Sequence, residues 1–162
     1  MAFDPDYVIS TPAVRQTENW SCSACSWAWL ANSIGENYTE WEAINKIGYP
    51  RNINREVGLV NGTGRRLAEA YEEFPHQWPA HFGALAWEDA LRLAAVGPLL
   101  LGGHGFYHWV AARGVAGGVL WLANPSPNWF GCQDDLDYGE WQRFGPWSGV
   151  WLADADSNVG PA

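Results

Sequence analysis

The sequence predicts an α+β domain in which N-terminal helices pack on a C-terminal antiparallel sheet, and three observations carry that prediction. Helix signals crowd residues 22–96, whereas apolar runs punctuated by Gly and Pro occupy residues 99–153. The 162 residues are the length of one ordinary domain, and 48% of them are hydrophobic against 17% charged, which excludes a disordered chain. Twelve tryptophans promise a core with much aromatic area.

Taken in order, residues 1–15 read as extended, because Pro5 and Pro12 oppose helix. A helix is expected from Cys22 through Ile34, with Gly35 as its left-handed stop. Ala24, Ala28 and Ala31 propagate it, and Trp27, Leu30 and Ile34 share one face. Thr39-Glu40-Trp41-Glu42 is a capping-box pattern that opens a second helix through Ile44 and Ile47, closed by Gly48 and Pro50. Residues 51–63 read as a loop, 64–74 as a third helix stopped by Pro75, and 75–83 as irregular. Residues 87–96 form an amphipathic helix closed by Gly97-Pro98. Strands are then expected at 99–101, 106–115, 119–123 and 150–153. No internal repeat is evident, so residues 1–155 read as a single domain and 156–162 as a polar tail or the start of a linker.

Composition narrows the function. A net charge of -9 argues against nucleic acid and anionic membrane surfaces as partners, since both draw on clustered positive charge. No apolar run reaches the roughly 20 residues that cross a bilayer, and the first residues lack the pattern of a signal peptide. Three cysteines cannot build a four-thiolate zinc site. His104 and His108 on one strand would stand about 13 Å apart, too far to share an ion. Neither a metal nor a cofactor is expected.

Four residues could form a reactive set. Cys22 falls at a helix N-terminus, where unpaired N–H groups and the helix dipole favour a thiolate. His108 lies in an apolar strand, and Asn124 follows sixteen residues later, across a turn near Gly117-Gly118. A turn centred on residue 116 would set His108 and Asn124 opposite each other on one sheet face, so that the amide could orient the imidazole. A one-residue slip would separate them. Gln16, six residues before Cys22, could offer an amide donor to an oxyanion beside the Cys22 N–H. Trp20, Ser23 and Trp109 neighbour this set in sequence and are candidate substrate contacts; the tryptophans equally suit the core.

The run Gln16-Thr17-Glu18-Asn19-Trp20-Ser21-Cys22-Ser23-Ala24-Cys25 resembles the glutamine-to-cysteine block of papain-like cysteine peptidases. It is most similar to the bacteriocin-processing, double-glycine leader peptidase group. The block from Gly97-Pro98 through His108 to Asn124-Pro125 is similar to that group's histidine and third-residue region. Ser21 and Ser23 stand where the group usually has aspartate and glycine, and Asn124 matches the papain type, not the aspartate of the leader peptidases.

The resemblance implies a papain-like fold with Cys22 as nucleophile, His108 as base and acid, Asn124 as orienter, and Gln16 with the Cys22 amide as the oxyanion site. It makes Cys25 a buried neighbour. It also implies a monomeric peptidase acting on a peptide or on peptidoglycan peptides. Such an enzyme would work in the cytoplasm, or, as a module of a phage endolysin, would leave it for the cell wall without a signal. An acyltransferase and an inactive peptide-binding domain are the alternatives on the same scaffold. A redox C-x-x-C would need a preceding βαβ pattern, which the sequence lacks.

Overall fold

The structure, a computed structural model, describes residues 8–48, 61–74, 79–105, 108–126 and 134–152. Several expectations fall outside them: the extended residues 1–7, the loop over 51–60, His76, Trp129, Cys132, and the tail with its boundary at 155. The described elements run α1 (Cys22–Ser33), α2 (Glu40–Ile47), α3 (Asn61–Glu72), β1 (Ala80–Leu85), α4 (Trp87–Ala94), β2 (Leu99–Gly103), β3 (His108–Ala116), β4 (Val119–Ala123), β5 (Asp135–Leu136), α5 (Tyr138–Phe144) and β6 (Trp147–Leu152). The strands make one sheet in the order β1-β6-β2-β3-β4-β5, antiparallel throughout. The α+β class is as the sequence predicts.

Side chains alternate between two cores, as the pleat requires. Leu100, Trp109, Ala111, Val150 and Leu152 meet α1, α2 and α3 on one face. Leu99, Leu101, Val110, Ala112 and Trp151 meet α4 and α5 on the other. The sheet is therefore covered on both faces. The second face is covered by α4, the helix expected over 87–96, and by α5, which was not foreseen.

Helix α1 is the hub. Every residue from Cys22 to Ala31 is buried, so it is enclosed on all sides and not along the single face its spacing suggested. Its two fully buried tryptophans satisfy their indole N–H groups: Trp27 donates to the Leu67 carbonyl at 3.1 Å and Trp29 to that of Thr11 at 2.9 Å. Helix α2 starts at the expected capping box, with Thr39 and Glu42 bonding each other's backbone N–H, and Gly48 closes it in the left-handed region.

Three local expectations are corrected. Residues 61–63 belong to α3 and not to the loop. Residues 80–83, read as irregular, form most of edge strand β1, which takes its order from pairing with β6. Strand β6 begins at Trp147, three residues before the expected start. Among the described residues, no helix is long and apolar enough to cross a membrane.

Candidate active site

The N-terminus of α1 abuts the start of β3. Ser21, the N-cap residue, does not cap the helix with its side chain. Its hydroxyl instead donates to a carboxylate oxygen of Glu40 at 2.7 Å. The first N–H groups of α1 therefore stay available beside Cys22. The Trp109 N–H, next in the chain to His108, contacts the Cys22 sulfur at 3.5 Å. That contact brings the two halves of the sequence together.

His108 Nε2 lies 2.9 Å from Asn124 Oδ1. The same oxygen accepts from the Ser126 N–H at 3.0 Å, and a backbone N–H can only donate. Oδ1 is thus an acceptor for both, Nε2 carries the proton, and Nδ1 is left as the basic nitrogen. The register behind this contact differs from the expected one. The turn sits at Gly117 and Gly118, both at positive φ, and pairs Ala116 with Val119. Continued without a break, that pairing would set Asn124 against Ala111 and turn His108 to the opposite face. Between Gly114↔Trp121 and Ala112↔Leu122, however, Arg113 is an extra residue in β3. The bulge returns His108 and Asn124 to one face, two positions apart instead of directly opposed. Its backbone is held from outside: the Ile9 N–H donates to the Arg113 carbonyl at 2.7 Å, and Arg113 Nε donates to the Ile9 carbonyl at 3.0 Å.

Gln16 is tied to the same corner. Its N–H donates to the Pro125 carbonyl at 3.0 Å, and Arg15 donates to the Asn124 carbonyl at 2.6 Å. The Gln16 side-chain nitrogen donates one N–H to the Glu18 carbonyl at 2.8 Å, and the amide carries a second N–H. Ser23 and Trp109 are each only 1% exposed, so their side chains belong to the packed interior. Trp109 reaches the sulfur through its backbone. Trp20, also buried, presents itself edge-on to Trp41 at 6.2 Å, and Trp41 is 49% exposed. Trp41 and Glu40 are site neighbours that sequence reasoning missed, because both were read only as parts of a capping pattern.

Burial governs the electrostatics. It pushes the Cys22 thiol up to about 11, against the pull of the Trp109, Ser23 and Cys22 N–H groups. It likewise lowers His108 to about 4, with Asn124 opposing. Either charge alone is disfavoured, so the dipole-stabilised lone thiolate expected from sequence is outweighed by desolvation. A proton passed from sulfur to imidazole would instead create two charges that offset each other. Cys25 is fully buried, and burial followed by the Glu40 charge raises its thiol well above the usual range. Among the described residues, no group of three or more His, Cys, Asp or Glu could hold a metal.

The His108 shift predicts a stability change with pH. Below its unfolded value of 6.5 the unfolded chain takes up a proton that the folded chain refuses until about pH 4. This stabilisation is therefore complete above pH 6.5 and is lost as pH falls to about 4, a change on the order of 3 kcal/mol. Urea unfolding at pH 7 and 4.5 should show a steeper loss in the wild type than in His108→Gln. Equal losses would contradict a buried neutral imidazole.

No family model and no curated protein matches the sequence. Solved structures do match. One is a double glycine motif protease from an AMS/PCAT transporter in complex with the leader peptide, at 16% identity and TM-score 0.64, covering 91% of this chain and 95% of that one. Another, from Bacillus anthracis and assigned as a C39-like peptidase, has 12% identity and TM-score 0.66 over 93% and 98% of the two chains. The peptidase domain of Streptococcus ComA, a bi-functional ABC transporter, gives 13% and 0.61 over 89% and 98%. The chain thus has the papain-like fold of these C39-like, double-glycine peptidase domains along nearly its whole length.

Proposed function

We propose that this chain is a cysteine peptidase that hydrolyses a peptide or amide bond through a thioester. The observation that supports this best is the pairing of an Asn124-oriented His108 with a Cys22 sulfur reached by the adjoining Trp109 N–H. Cys22 passes its proton to His108 Nδ1, and the sulfur attacks the scissile carbonyl carbon. The resulting oxyanion accepts from the Cys22 N–H and the second N–H of the Gln16 amide. Collapse expels the amine, which takes the proton from His108, and leaves an acyl group on sulfur. Water, deprotonated by His108, then releases the acid and restores the thiol.

On sequence grounds we place cross-linked peptidoglycan peptides first among substrates, cleaved by a module of a phage endolysin. Double-glycine leader peptides come second, following the peptide bound by one structural neighbour. Incubating reduced protein with both classes and reading products by mass spectrometry tests the proposal. A new amine and a new carboxylic acid, with an acyl adduct trapped on Cys22, are expected. Transfer of the acyl group to an added amine would make the enzyme an acyltransferase. Uncut substrates with Cys22 intact and reduced would leave a binding domain.

A further inference from the structure

Glu40, the first residue of α2, is only 7% exposed, yet four donors converge on its carboxylate. One oxygen accepts from the Thr17 N–H at 2.7 Å, the Ser21 hydroxyl at 2.7 Å and the Cys25 thiol at 3.4 Å. The other accepts from the Thr17 hydroxyl at 2.5 Å. These donors stand five and one residues before Cys22 and three after it. Thr17 also adjoins Gln16, whose backbone is held from the other side by Pro125. One carboxylate thus grips both the loop that carries the amide donor and the first turn that carries the nucleophile.

We propose that Glu40 is a positioning residue that fixes the Gln16 amide relative to Cys22 and so shapes the oxyanion site. The inference rests on the cysteine peptidase reading. The carboxylate suits this place, since it sits in the first turn of α2, where the helix dipole favours negative charge. Burial pushes its proton affinity up, but the bonds from Thr17, Ser21 and Cys25 outweigh that and hold the carboxyl below its ordinary value. It is an anion at neutral pH. The second cysteine of the C-x-x-C thereby has a supporting role, in which Cys25 donates to Glu40 and takes no part in attack.

Two reactions of the same sulfur separate positioning from general support. Acylation by p-nitrophenyl acetate builds an oxyanion, whereas alkylation by iodoacetamide displaces iodide and builds none. Glu40→Ala should slow acylation by about 100-fold, the scale of an ångström-sized misplacement, while alkylation of Cys22 changes by less than about threefold. Glu40→Gln should restore acylation to within about tenfold of wild type. Its amide oxygen has two lone pairs for the Thr17 N–H and the Ser21 hydroxyl, and its NH2 can donate to the Thr17 hydroxyl, so that only the weak Cys25 contact is lost. If Glu40→Ala does not fold, Thr17→Val decides, with slower acylation and unchanged alkylation expected. The proposal is overturned if acylation is unchanged in the folded variants, or if both reactions fall in proportion. A wild type inert to both reagents would instead overturn the peptidase reading, and this inference with it.

Discussion

Replacing Cys22 by alanine is expected to abolish hydrolysis, a loss on the order of 10^4-fold or more, because the proposed acyl intermediate forms on its sulfur. The fold should survive. Cys22 is 4% exposed at the first turn of α1, and alanine keeps its Cβ and suits a helix. The main structural loss is the sulfur acceptor of the Trp109 N–H, worth about 1 kcal/mol. Turnover and the melting midpoint should therefore part company. Cys25→Ala should do the reverse, since it removes a thiol that donates to Glu40 but is fully buried. Turnover there should stay within about tenfold of wild type, as expected for a supporting contact. Hydrolysis persisting in Cys22→Ala and vanishing in Cys25→Ala would transfer the nucleophile's role to the second cysteine.

Trp27→Ala should cost the most stability, about 3–5 kcal/mol out of the roughly 5–15 typical of such a domain. Its ring is fully buried where α1 meets its neighbours. It lies edge-on to Tyr38 at 4.9 Å and stacked on Phe74 at 5.7 Å, and its indole N–H donates to Leu67 of α3. Truncation leaves a cavity that the surrounding elements cannot easily close, and it removes the indole hydrogen bond to α3. Trp27→Phe should cost less, because most of the apolar contact remains. Chemical denaturation at one pH measures both. Since Trp27 stands five residues after Cys22 on the same helix, Trp27→Ala should also lower turnover at temperatures where the protein is still folded. A cost under about 1 kcal/mol would show that α1 is not the hub described.

Much of the fold was legible in the sequence where local signals agree with the tertiary structure. The capping box at Thr39–Glu42, the glycine stop at Gly48 and the strand at 119–123 needed no partner to be read. The start of α1 at Cys22 was read from composition alone. Strand β1 was not. Ala80-His81-Phe82-Gly83 carries weak strand preference and gains its order only beside Val150 and Trp151 of β6. Helix α5 had a local signal, since Asp137 and Glu140 form a capping box, but Gly139 and a length of seven residues masked it. The His108–Asn124 contact was anticipated from the wrong register, because one unpaired residue at Arg113 decides the parity and no sequence pattern announces it. The role of Glu40 was hidden for a related reason: its donors lie 15–23 residues earlier in the chain.

The proposed catalysis depends on Cys22 and His108 exchanging a proton within a buried pair. Iodoacetamide labelling of each cysteine from pH 5 to 9, resolved by peptide mass spectrometry in wild type and His108→Ala, tests this most directly. A proton moved inside the pair leaves the total unchanged, so the wild-type rate at Cys22 should be nearly flat above an acid limb near the His108 value of about 4. In His108→Ala it should fall by at least about tenfold at pH 7 and climb about tenfold per pH unit, as for a lone thiol whose ionisation burial delays to about 11. A wild-type rate that climbs in the same way, or a faster reaction at Cys25, would contradict it.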